Sequence, residues 1–122
     1  MGQEDIKDKL TAAGVEYDKG LERFMGNTDL YYQFLKKFLY DGSYEEFDMG
    51  IMVGDLQMAE KSVHTLKGTA GNLSLVRLYN TADAMVKALR AGAGDEEIKA
   101  KAKDVSQAYQ TTCDAIREAL GS

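Results

Sequence analysis

The sequence predicts an all-α protein, an antiparallel up-down four-helix bundle with short additional helices at its N-terminal end. Three observations carry this. Apolar residues recur at steps of three and four through most of the chain, as the core-facing stripe of a helix requires. Proline is absent, while 12 glycines divide the chain into segments of helical length. Apolar residues make up 44% and charged residues 29% of 122 residues, a globular composition with enough chain for one core.

The elements follow in order. A short helix is expected from about Glu4 to Ala13, stopped by Gly14, and Asp18 is placed to cap a brief turn through Leu21 and Phe24 that ends near Gly26. Asn27-Thr28-Asp29 supplies capping side chains ahead of the stripe Leu30, Tyr31, Phe34, Leu35, Phe38 and Leu39, which Gly42 ends. Ser43 with Glu46 reads as a capping box, and Tyr44, Phe47 and Ile51 then face inward. Gly54-Asp55 reads as a stop and a restart.

The helix that begins there, from about Leu56 to Leu73, places Ala59, Val63, Leu66, Ala70 and Leu73 on its apolar stripe. The next carries Leu75, Leu78, Ala82, Met85 and Leu89 and stops at Ala91-Gly92-Ala93-Gly94. Asp95 is placed to cap the last, whose stripe is Ile98, Ala102, Val105, Tyr109, Thr112, Ile116 and Leu120. The whole reads as one domain, 1–122, with its bundle core at about 28–120.

Composition excludes several functions. Net charge is −5, from 15 basic and 20 acidic side chains, and the scattered basic residues form no stripe, so nucleic acid is not an expected partner. No apolar run is long enough to span a membrane, and Met1-Gly2-Gln3-Glu4-Asp5 lacks the character of a signal peptide, so a cytoplasmic protein with no membrane partner is expected. The single cysteine, Cys113, cannot form an internal disulfide, and it reads with Tyr109 as part of a helix stripe. Met49, Met52 and Met58 read as core filler.

One position resists a purely structural reading. At about 100° per residue, the mean direction of the apolar stripe on the Leu56 to Leu73 helix lies about 140° from His64. The sole histidine therefore points into solvent. On its side of the helix are Gln57, Glu60, Lys61, Lys67, Gly68 and Gly71, a polar or bare face. Glycine inside a helix costs about 1 kcal/mol relative to alanine, and two of them beside an exposed imidazole suggest a surface that another molecule must approach.

An exposed imidazole is a nucleophile when neutral. Lys67, one turn on, can act as a point charge beside a phosphoryl group on the ring. His64 is thus the candidate phosphoacceptor, Lys67 the phosphate support, and Gly68, Gly71 and Lys61 the candidate partner-binding positions. Glu60 lies four residues before His64, but without a second histidine or a nearby cysteine no metal site is expected.

The run His64-Thr65-Leu66-Lys67-Gly68-Thr69-Ala70-Gly71-Asn72-Leu73 resembles the His-x-Leu-Lys-Gly signature of histidine-containing phosphotransfer (HPt) domains. Tyr31-Tyr32-Gln33-Phe34-Leu35-Lys36-Lys37-Phe38-Leu39 looks like that family's first bundle helix, and the similarity continues from Leu78 to Leu89. The resemblance implies a carrier that moves a phosphoryl group between aspartates of response-regulator receiver domains, a hybrid sensor histidine kinase being a further possible partner. It implies phosphorylation at His64, support from Lys67 and room for the receiver at Gly68.

The family pattern has glycine where this chain has Ser74, and serine enters the left-handed conformation less readily, so a different turn is expected there. No Gly-x-x-x-x-Gly-Lys loop or carboxylate cluster points to nucleotide or Mg²⁺, so no cofactor is expected and the receiver would bring the metal and most catalytic groups. A monomer suffices for such a site. The alternative reading is a non-catalytic helical adaptor with the same fold, which transfer of label to His64 would separate from a carrier.

Overall fold

The computed structural model describes Gly2–Gly121, so Met1 and Ser122, the ends of the expected domain, lie outside the described residues. These residues form seven helices: α1 Gln3–Ala12, α2 Tyr17–Arg23, α3 Thr28–Phe38, α4 Ser43–Val53, α5 Leu56–Asn72, α6 Val76–Arg90 and α7 Asp95–Leu120. No strand occurs among them. Helix α4 packs along α5, α5 along α6 and α6 along α7, while α7 returns to touch α4. Short loops between packed neighbours make the arrangement antiparallel, the predicted up-down bundle.

The helix that looked like the first of the bundle is not the one that packs most on α5. Helix α3 touches α2 and α7, whereas the long contact with α5 is made by α4. At Gly50 the two helices come close, for a Cβ there would lie 2.8 Å from the Ala59 amide nitrogen and 3.0 Å from the Asp55 carbonyl oxygen. Only a residue without a side chain lets the two backbones come so near.

Helix boundaries follow the local signals in part. Asn27 Oδ1 accepts from the Leu30 amide at 3.1 Å and Asp55 Oδ1 from the Met58 amide at 3.1 Å, both as N-caps. Gly54 closes α4 in the left-handed conformation at φ 77°. Other assignments are corrected. The Ser43–Glu46 capping box does not form, since the Ser43 amide donates to Asp41 Oδ1 at 2.8 Å and Glu46 instead accepts from the Ser62 hydroxyl. Asp18 and Asp95 lie within the first turns of α2 and α7, where each ion-pairs with a lysine, Lys7 and Lys99 respectively, instead of capping.

One apolar cluster runs from Ile6 to Ala119, with Tyr31, Phe47, Leu10, Leu35 and Leu66 among the largest fully buried side chains. Tyr31 donates its hydroxyl proton to the Leu73 carbonyl at 2.8 Å, and burial pushes its phenol well above the ordinary tyrosine range. Gly20 admits this ring, for a Cβ at that position would overlap the Tyr31 hydroxyl. The N-terminal helices are thereby tied to the end of α5, where Glu16 N–H also donates to the Ser74 carbonyl at 2.9 Å.

The methionines and the α3 stripe are less buried than expected. Met49 and Met52 are 50% and 73% exposed, so the core-filler reading fails for both; they lie with Val53 at the α4–α5 corner. On α3 only Tyr31, Leu35 and Phe38 turn fully inward, while Leu30 and Phe34 remain 38% and 41% exposed.

Candidate functional site

Ala59, Val63, Leu66 and Ala70 on α5 and Leu73 at its C-cap, the five residues of the expected stripe, are all buried, and His64 is exposed on the opposite side. The capped start at Asp55 and the uninterrupted helix through Asn72 hold the histidine in mid-helix, where backbone hydrogen bonding leaves its direction no freedom beyond its own side-chain rotamers. Gly68 is exposed one turn further, and a Cβ built on it would meet nothing within 4 Å. This part of the surface is bare.

Gly71 is not. A Cβ there would stand 3.3 Å from the Tyr79 ring, so the chain's own α6 covers the position and the expectation of a bare docking strip at Gly71 is corrected. The helical wheel measured its angle from His64 but carried no information on where α6 crosses. Lys61 is exposed and makes no ion pair among the described residues.

Lys67 reaches away from open solvent. Its Nζ lies 3.0 Å from Asp83 Oδ1 on α6 and 5.8 Å from the centre of the Tyr79 ring. The other oxygen of Asp83 lies 2.9 Å from Lys87 Nζ. With Lys87 and Lys67 beside it, the Asp83 carboxyl is held below its ordinary value, and Lys87 is raised in turn by Asp83. Asp83, Lys87 and Tyr79 were not singled out from the sequence; the signal available was their i, i+4 spacing on α6, which gives one face but not its neighbour.

On the N-terminal side of His64, Arg90 Nε lies 3.2 Å from Glu60 Oε2, another α5–α6 pair. Gln57, Glu60, Lys61, His64, Thr65 and Arg90 line a shallow depression around the imidazole. On the other flank, Phe24, Phe34, Phe38, Thr69, Asn72 and Leu73 line a largely apolar groove of about 320 Å³. Among the described residues no group of three His, Cys, Asp or Glu side chains is arranged to hold a metal ion.

The imidazole thus stands on the outside of α5 between two carboxylate-paired cations, Lys67 and Arg90, with a side-chain-free position one turn on at Gly68. The Hpt-domain family model matches residues 34–119, from within α3 to the end of α7, and the chain belongs to that family, the phosphocarrier domains of two-component phosphorelays. No curated protein and no solved structure matches the chain. No helix among the described residues is long and apolar enough to cross a membrane.

Proposed function

We propose that this protein relays a phosphoryl group between aspartates of response-regulator receiver domains, or between a hybrid sensor histidine kinase and such a receiver, with His64 as the intermediate acceptor. The observation that carries the reading is the exposure of the chain's only imidazole beside the side-chain-free surface at Gly68. In the forward step the imidazole lone pair forms an N–P bond while the P–O bond to the donor aspartate breaks, and the carboxylate leaves with the electron pair. The return step reverses these changes onto the second aspartate.

Residues 1–122 act as one cytoplasmic domain with no cofactor of its own, and a monomer is sufficient. The receiver supplies the metal and most of the groups that stabilise the migrating phosphoryl group. This chain supplies the nucleophile, nearby cations and a surface on which to dock, including the apolar groove beside Asn72. The net charge of −5 disfavours nucleic acid as a partner, and Lys61, without an ion pair among the described residues, lines the depression around the imidazole.

Incubation with a receiver phosphorylated on aspartate tests the reading. Acid-labile label is expected on the wild-type chain and none on His64→Gln, with circular dichroism showing the same helix content in both. Label retained by His64→Gln, or none on the wild type from any receiver encoded with it, overturns the assignment and leaves the adaptor reading in its place.

A further inference from the structure

The cation expected to support a phosphorylated histidine is already engaged. No hydrogen bond or ion pair joins Lys67 to His64; its ammonium is held by Asp83 and lies near the Tyr79 ring, with both Lys67 and Asp83 only 25% exposed. Partial shielding makes such a pair stronger than one in open water. Asp83 has a second cation, Lys87, on its other oxygen. If Lys67 leaves, the carboxylate is still neutralised, so departure does not strand a lone charge between the helices.

We propose that Asp83 is a positioning residue that holds Lys67 in a resting place against α6 and sets how readily it moves to the phosphoryl group on His64. The inference rests on His64 being the site of phosphorylation. A phosphoryl group brings close to two negative charges to a face where Lys67 lies one turn along. The lysine then exchanges one acceptor for a more highly charged one, and Lys87 keeps Asp83 paired. Asp83 thus opposes formation of the phosphorylated state, while Lys87 lessens that opposition by remaining with the carboxylate. Asparagine at this position has nearly the same shape without the charge, so Lys67 is freed with little change in packing.

The test uses Asp83→Asn, Lys67→Ala and the double variant, each phosphorylated chemically with phosphoramidate. In that reaction the imidazole forms the N–P bond, the P–N bond of the donor breaks and ammonia leaves with a proton. Since the chain has one histidine, a single phosphohistidine signal is followed by ³¹P NMR as pH is varied. Asp83→Asn is expected to lower the midpoint of the phosphoryl group's last ionisation by on the order of 0.5 pH, as a freed ammonium favours the dianion. In the Lys67→Ala background most of that shift should vanish, because the coupling passes through the lysine.

With a receiver as partner, the same substitution should raise the equilibrium ratio of phosphorylated to unphosphorylated chain about two- to fivefold, a range appropriate to one exposed ion pair. No shift with Asp83→Asn, or an equal shift with and without Lys67, overturns the role of Asp83. Because the titration needs no receiver, its failure is distinct from failure of the relay, which label transfer alone reads.

Discussion

Ser74 follows α5 in the left-handed conformation, at φ 60°, where a side chain costs about 1–2 kcal/mol that glycine avoids. The turn nevertheless keeps the double hydrogen bond that closes helices through such a residue: Ser74 N–H donates to the Gly71 carbonyl at 3.2 Å and Leu75 N–H to the Ala70 carbonyl at 2.9 Å. The expectation of a different turn fails here, because buried Leu73 and Leu75 and the bond from Glu16 N–H to the Ser74 carbonyl hold the backbone in place. Ser74→Gly should therefore stabilise the protein by about 1 kcal/mol, reduced somewhat by glycine's freedom in the unfolded chain. Urea denaturation measures it; a lower midpoint would mean that the serine side chain makes a stabilising contribution larger than the strain. At the same scale, the outward direction of His64 was legible from five apolar neighbours, whereas the engagement of Lys67 was not, since its partner lies on another helix.

Glycines on two helices show why an element cannot be judged by propensity alone. Alanine is the better helix former by about 1 kcal/mol, and at Gly68, where a Cβ meets nothing, Gly68→Ala should gain about that much. At Gly50 the same methyl would press on the backbone of Asp55 and Ala59, which cannot rotate aside. Gly50→Ala is expected to lose about 1–3 kcal/mol through overpacking. Thermal melts of the two variants should move in opposite directions, and a stabilised Gly50→Ala would show that α4 can move off α5 without penalty. Helix α3 illustrates a related limit. Its apolar positions span a stripe wider than one contact can cover, so Tyr31, Leu35 and Phe38 are buried while Leu30 stays partly exposed and Phe34 lines the apolar groove.

Across the whole molecule, the short N-terminal helices are part of the same core as the bundle. Helix α1 lies on α7, Leu10 is fully buried, and Arg77 N–H donates to the Gly14 carbonyl at 3.1 Å, joining the α1–α2 loop to α6. Leu10→Ala should lower global stability by about 2–5 kcal/mol and leave one cooperative transition. An early, separate transition would instead make α1 an appendage. The site lies on α5 between elements that this core fixes, so distant core substitutions should alter the folded fraction more than the reactivity of the folded protein.

Periodicity, the Asn27 and Asp55 caps and the glycine stops determined by themselves that the chain is helical, roughly where its helices lie, and that His64 faces away from the core, because each depends on residues within a few turns of one another. Tertiary structure alone decided that Tyr79 covers Gly71, that Asp83 holds Lys67, and that α4 rather than α3 packs along α5. Those outcomes depend on which helix crosses which and at what separation. That choice is made by side-chain volume and backbone approach across the core, over distances in sequence that a helical repeat cannot encode.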